Sequence, residues 1–337
     1  MASGTASSAL PPDVKNIEVA DDGDVVLSFQ CGSTIRASSV ILSMASPVFK
    51  KMLGPKFLEG QATRSSEQPK TIELLDDDFD AMGMLLALMH FQQPAAPNVT
   101  AIELCRLAVA ADKWDCVEPM SLATEALLRR KAVELSSSAM VDVSNELGAV
   151  ASAAYLLRHR EMFALFTRWL VLLETKPIST MMYREEFVNL PPGVILGLEE
   201  QRSAARDMLV NALGQRSNGR CIVSACTSRA ASSSLTMTLL VYLKCTVWPP
   251  LWPDTPLRNI LRKINSLPSI EIGEEHACRH HNPASIIPAE FQAMCKGVSD
   301  RVYGICLQCA REDSSQGKCE HVAEMKELVR RDPFVES

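Results

Sequence analysis

The sequence has 337 residues, of which 47% are hydrophobic and 22% charged, with a net charge of −6 and a mean hydropathy of +0.04. This is the composition of a globular chain with room for two or three domains, not of a disordered one. The acidic balance, with no basic stripe interleaved with aromatics, argues against a nucleic-acid partner. The longest apolar runs, Leu147 to Leu157 and Leu235 to Leu243, fall short of the ~20 residues that cross a bilayer, so no membrane partner is expected. Met1 to Leu10 carries neither a basic nor an apolar block, so no secretory signal is expected. Eleven cysteines in such a chain are expected as reduced thiols in the cytoplasm or nucleus.

Taken in order, residues 1–12 are small, polar and proline-ended and are expected to be a disordered leader. Val14, Ile17 and Val19 can form an edge strand. Val25, Leu27 and Phe29 alternate with Ser28 and Gln30, the period of a half-buried strand, and Cys31-Gly32-Ser33 turns the chain into a second strand through Ile35 and Ala37. Ser38-Ser39 offers a side-chain oxygen to cap a helix near Val40. Ser46-Pro47 starts the next helix, with proline at a position whose N–H has no helical partner.

After a polar segment from Gly60 to Lys70, Thr71 to Leu75 reads as a third strand. Asp76-Asp77-Asp78 precedes Phe79, Met82, Leu85, Leu86 and Met89 and is read as a helix cap, not a metal cluster. Thr100-Ala101-Ile102-Glu103 is a capping box. The helix that it opens, through Leu104 and Ala111, shows almost no polar face and is expected to be buried. Trp114 to Arg130 is expected as one further helix with Leu122, Ala126 and Leu127 inward, and Arg129-Arg130-Lys131 as its C-terminal charge.

Several of these blocks come in an order and spacing that resemble a known family. Gly23-Asp24-Val25-Val26-Leu27, Ser38-Ser39, Ala45-Ser46-Pro47-Val48-Phe49, Met52-Leu53, Gly54-Pro55-Lys56-Phe57-Leu58-Glu59-Gly60 and Ala111-Asp112-Lys113-Trp114-Asp115-Cys116 are similar to the BTB/POZ domain in its fungal form. The resemblance implies an α+β fold, a small sheet covered by helices, over residues 13–131. It also implies a protein-binding module that pairs with a second copy through Asp24, Val25, Leu27, Leu42, Ser46, Phe49 and Leu53. One partner that it implies is the cullin scaffold used by ubiquitin-ligase adaptors, met through Asp78 to Met89 and Ala101 to Trp114. A transcriptional or structural scaffold without a ligase role is the alternative. Many animal members carry a histidine where this chain has Ser38, which would leave Asp24 without its partner.

Beyond this block the pattern is helical. Residues 132–213 form a helical extension in which Met162, Leu165, Phe166, Trp169, Leu172 and Leu173 recur at amphipathic spacing. Tyr155, Phe163, Phe166 and Trp169 are assigned to core, not to a ligand box. Pro191-Pro192-Gly193 is a turn, 214–234 a polar linker, and 235–337 a mostly helical Cys/His-rich region expected to hold cargo together with the extension. There, Cys306-Leu307-Gln308-Cys309 has zinc-ligand spacing and Cys278 with His281 the same offset, so these four are the candidate zinc set. Cys319 and His321 are an alternative second pair. Against zinc stand buried, reduced structural cysteines, and a thiol-redox role for the C-x-x-C is a second alternative. A redox pair needs a strand–helix setting that the pattern lacks, and no nucleotide or hydrolase motif is present. His90 and His159 are expected to pack within helices. The chain is therefore expected not to be an enzyme.

Overall fold

The computed structural model describes residues 14–61, 63–92, 98–137, 144–217, 255–266, 283–312, 319–329 and 332. The expected leader, most of the linker, the helix expected over Leu235 to Leu243, and Cys278 and His281 lie outside them. The chain divides into two compact units, Met1–Arg129 and Arg130–Ser337.

The first unit is built on four strands, β1 (Asn16–Glu18), β2 (Val25–Phe29), β3 (Thr34–Ala37) and β4 (Lys70–Leu74), in the order β1-β3-β2-β4. β2 and β3 are an antiparallel hairpin, β1 lies parallel to β3, and β4 parallel to β2. Leu27 stands opposite Ile35 on one side and Ile72 on the other. The period-2 alternation therefore buries Val25, Leu27, Phe29, Ile35, Ala37, Ile72 and Leu74 together. Helices α1 (Ser39–Ala45), α2 (Pro47–Met52), α3 (Leu58–Gln61), α4 (Phe79–Met89) and α5 (Ala101–Lys113) complete the unit, with α4 packed against both α1 and α5.

The caps show how sequence sets these elements. Ser46 accepts from the Phe49 N–H, with Pro47 at the first helical position, and Asp78 caps α4 by accepting from the Ala81 N–H at 2.7 Å. The Thr100–Glu103 capping box is complete on both sides. In contrast, Ser38 makes no side-chain cap on α1. Asp24 does that work from just before β2: it accepts from the Ser39 N–H at 2.7 Å and from Ser39 Oγ at 2.6 Å. Asp24 thus has a partner after all, the next residue along. The Ser38 N–H donates to Nε2 of His90, whose Nδ1 bonds the Leu86 carbonyl, so a histidine reaches this junction from α4.

Three expectations about helices are corrected. α5 ends at Lys113, and Asp115 turns the chain at φ 48° before α6 (Ser121–Ser137) begins. The inward face of α6 is Thr124, Leu127, Leu128, Lys131 and Leu135, whereas Leu122 is 82% exposed and Ala126 faces solvent. Leu127 is inward as expected, and the helix runs on past Arg130 to Ser137. The Arg129-Arg130-Lys131 triplet consequently lies mid-helix, where Arg129 pairs with Glu125 and Lys131 with Glu134. α5 itself keeps a solvent stripe, Arg106, Val109 and Asp112, because only one of its faces meets the core.

The second unit is helical: α7 (Ser144–Leu156), α8 (Arg160–Leu173), two 3₁₀ turns (Ile178–Met181 and Glu185–Phe187), α9 (Pro192–Ser217), α10 (Leu257–Asn265), α11 (Pro283–Ser299), α12 (Leu307–Arg311) and α13 (Val322–Leu328). α9 runs four residues into the segment expected to be linker. α8 packs against α7, α9, α10, α12 and α13. It is therefore buried all round from Met162 to Leu172 apart from half-buried Leu165, not amphipathic. Trp169, Phe163 and Phe166 are fully buried, as core residues. A central helix must still satisfy its polar groups. Arg168 does so through Asp332 at 2.8 Å and through the Ser299 backbone and hydroxyl, and the Trp169 Nε1–H donates to the other oxygen of Asp332.

Candidate functional site

In the second unit the fold gathers Cys306, Cys309, Cys319 and His321. Gly304, at φ 76°, begins this placement: a Cβ there would run into the Ala164 carbonyl and the Thr167 side chain, so only glycine lets the chain lie against α8. The next residue is then fastened, with the Ile305 N–H donating to Thr167 Oγ1 at 2.9 Å. Cys306 is the N-cap of α12 and Cys309 lies within it, so their side chains share one side of a helical turn. His321 stands at the N-cap position of α13, two residues after Cys319.

The four ligand atoms all lie within 4.8 Å of one another. His321 Nδ1 is 3.7 Å from Cys306 Sγ and 3.9 Å from both Cys309 Sγ and Cys319 Sγ. A tetrahedral ion with metal–sulfur bonds of ~2.3 Å and metal–nitrogen bonds of ~2.0–2.1 Å sets sulfur and nitrogen about 3.6 Å apart. The cluster is thus sized for one ion. Cys306 and Cys309 are buried, and Ala164, Met325 and Val329 pack around them with Tyr303 and Leu328 alongside. Burial pushes the Cys309 thiol up to about 12, and the neighbouring Cys319 and Cys306 thiols add to the effect. A thiol raised in this way is not the low-pKa nucleophile of a redox pair.

Clustering sets these thiols apart from the other buried ones. Burial also raises Cys116 and Cys295 to about 12, but each is satisfied singly, by the Ala111 and Leu261 carbonyls. The spacing C-x₂-C-x₉-C-x-H was visible in the sequence, with the Cys319/His321 pair as the second half. Cys278 and His281, the other pair considered, lie outside the described residues.

The residues expected to form a docking surface on the first unit sit elsewhere. Val25, Leu27, Leu42, Ser46, Phe49 and Leu53 are all buried, and Asp24 is half-buried against Ser39. They build the core and leave no apolar face outward. Phe49 stacks on Trp114 with ring centroids 4.0 Å apart, and Ser46 Oγ donates to the Trp114 carbonyl. The apolar side chains that the same helices leave outside are Val40 (65% exposed), Met44 (81%) and Val48 on α1 and α2, with Phe57 and Leu58 beyond. Val40 and Met44 are four apart on one face of α1, the opposite phase to buried Leu42.

Residues 18–131 match the family model of the BTB/POZ domain. This segment is a BTB/POZ domain. No curated protein and no solved structure matches the chain. The BTB/POZ domain is a protein–protein interaction module, and its distant sequence blocks meet in the fold. Ser46 of the Ala-Ser-Pro turn bonds Trp114, whose indole N–H donates to Asp77, which also pairs with Lys113 at 2.9 Å. Asp77 is thereby used as a structural anion, and Asp78 beside it as a cap. Gly54 and Gly60 of the block between α2 and α3 also meet, since a Cβ on Gly60 would overlap the Gly54 carbonyl. Among the described residues, no helix is long and apolar enough to cross a membrane.

Proposed function

We propose that this protein is a non-enzymatic, self-associating BTB adaptor of the fungal form that works in the cytoplasm or nucleus. Its BTB/POZ domain pairs with a second copy and docks on a cullin scaffold, while the second unit holds a cargo protein. The observation that carries the self-association is the exposed pair Val40 and Met44 on one face of α1, in a domain of the interaction class. An apolar stripe beside a complete core is a surface for a partner. Light scattering after size exclusion tests it: a species of about twice the chain mass is expected, and Met44→Glu is expected to give the monomer. A wild-type monomer at micromolar concentration overturns the pairing. The cullin half is tested by co-precipitation with the full chain and with a form ending at Ser137, which keeps α6 whole. Binding by both supports the division of labour, and binding by neither leaves a scaffold without a ligase role.

We also propose that Cys306, Cys309, Cys319 and His321 hold a structural zinc ion. Three thiolates and an imidazole at tetrahedral separations suit this ion, and four protein ligands leave no open position for catalysis. Elemental analysis of purified protein is expected to give one equivalent of zinc. Less than a few tenths of an equivalent, with α12 and α13 still folded, overturns it.

A further inference from the structure

We propose that Arg160 is the outer-shell partner of the Cys306–Cys309–Cys319–His321 centre, balancing the charge of the ligand sulfurs and donating its Nε–H and Nη2–H groups to them once a bound ion has made them thiolates. This rests on the zinc reading above.

Three thiolates and a neutral imidazole around a divalent ion leave one net negative charge. Held in a largely apolar pocket of Ala164, Met325 and Val329, such a charge calls for a nearby cation and hydrogen-bond donors. Arg160 is placed to supply both. It lies one turn before Ala164 on the same face of α8, and Ala164 packs against Cys306 and Cys309. Its Nη1 is held by an ion pair with Glu324, in the first turn of the helix that His321 opens. With that corner fixed, Nε and Nη2 are both buried and have no hydrogen-bond partner. Buried donors without acceptors are uncommon in folded proteins. Arg160 holds its proton more firmly than usual, first through the Glu324 bond, against burial, and then through the charges of Glu324, Cys306 and Cys319.

An arginine serving only to tie α8 to α13 would lose its purpose with Glu324, whereas an outer-shell arginine would not. The test compares Arg160→Gln, Arg160→Lys and Glu324→Gln in the full chain, by competition for zinc against a colorimetric chelator and by the rate of zinc release. Arg160→Gln is expected to weaken zinc binding by about 10- to 100-fold, the usual cost of an outer-shell partner. Lysine, which keeps the charge but not the fork, is expected to restore part of this. Glu324→Gln is expected to stay close to wild type. Equal affinity in Arg160→Gln and wild type overturns the proposal, as does a Glu324→Gln loss matching that of Arg160→Gln. If Arg160→Gln does not fold, the cobalt-loaded Arg160→Lys protein decides instead. A shift of its sulfur-to-metal charge-transfer band supports the N–H···S contacts, and an unchanged band removes them. Wild-type protein that takes up no zinc would sink the metal reading itself, while one equivalent bound equally by every variant would sink this inference alone.

Discussion

The two units solve the same problem, a closed core, by different means. The BTB/POZ domain closes over shorter separations, of which Ser46 to Trp114, 68 positions apart, is among the longest. β2 and β3 are a hairpin, α1 and α2 follow at once, and the polar groups at the junctions are satisfied by short-range caps and by Asp24, Asp77 and His90. The second unit closes around α8 by bringing residues from the far end of the chain back to it. Arg168 and Trp169 need Asp332, more than 160 positions away, and Ala164 packs against Cys306 and Cys309. A unit of the first kind keeps its fold when a single contact is lost. One of the second kind depends on a few distant fastenings, so the two should differ in how they fail.

The largest expected effect comes from removing metal. Structural zinc contributes an apparent ~10–16 kcal/mol in small domains, so chelation is expected to expose α12 and α13 to hydrogen exchange and leave β2, α4 and α5 protected. Loss of protection in both units, or in neither, would break the comparison. The buried ion pair comes next. Asp332→Ala strands Arg168 without its charge partner, at a cost of about 3–5 kcal/mol, and should lower a denaturant transition reported by Trp169 in the second unit. Leu27→Ala is the counterpart in the BTB/POZ domain: a fully buried side chain at the sheet centre, expected to cost about 2–5 kcal/mol.

The smallest effects belong to the junction at α1. Removing the remote cap by Asp24→Ala is expected to cost about 1 kcal/mol. Burial acts to raise the Asp24 carboxyl, but the Ser39 hydroxyl and N–H outweigh it, and the folded-state value lies below the ordinary 3.8. Its contribution is therefore complete above pH 4 and is lost as the pH falls below that value, a loss that Asp24→Ala should abolish in an acid titration of stability. His90 adds a second window. Burial lowers it below the ordinary 6.5, against the bond to the Leu86 carbonyl, so the unfolded chain takes up the proton first. Stability is expected to fall as the pH drops through 6.5, and His90→Gln should flatten that part of the profile.

How much of this was legible in the sequence follows the same division. The alternation of Val25, Leu27 and Phe29, the Ser46-Pro47 start, the Asp78 cap and the Thr100–Glu103 box all depend on residues within a few positions of one another, and each formed as written. The residues expected to dock are buried for a physical reason. Leu42 and Phe49 are apolar because they fill the core, and the outward side chains, Val40 and Met44, differ from them only in phase on a short helix. α8 showed amphipathic spacing, but nothing local reveals that partners arrive on its remaining side, nor that Asp332 will satisfy Arg168. The cysteine–histidine cluster lies between these cases. C-x-x-C was plain, yet choosing Cys319 and His321 as its completion required the turn at Gly304 and the fold of α13 to bring four ligand atoms within 4.8 Å.

Native mass spectrometry of the full chain tests both units at once. A dimer carrying one zinc ion per chain is predicted, losing its metal but not its pairing when Cys309 is changed to Ser. A metal-free monomer as the dominant species of the purified wild-type protein would contradict it.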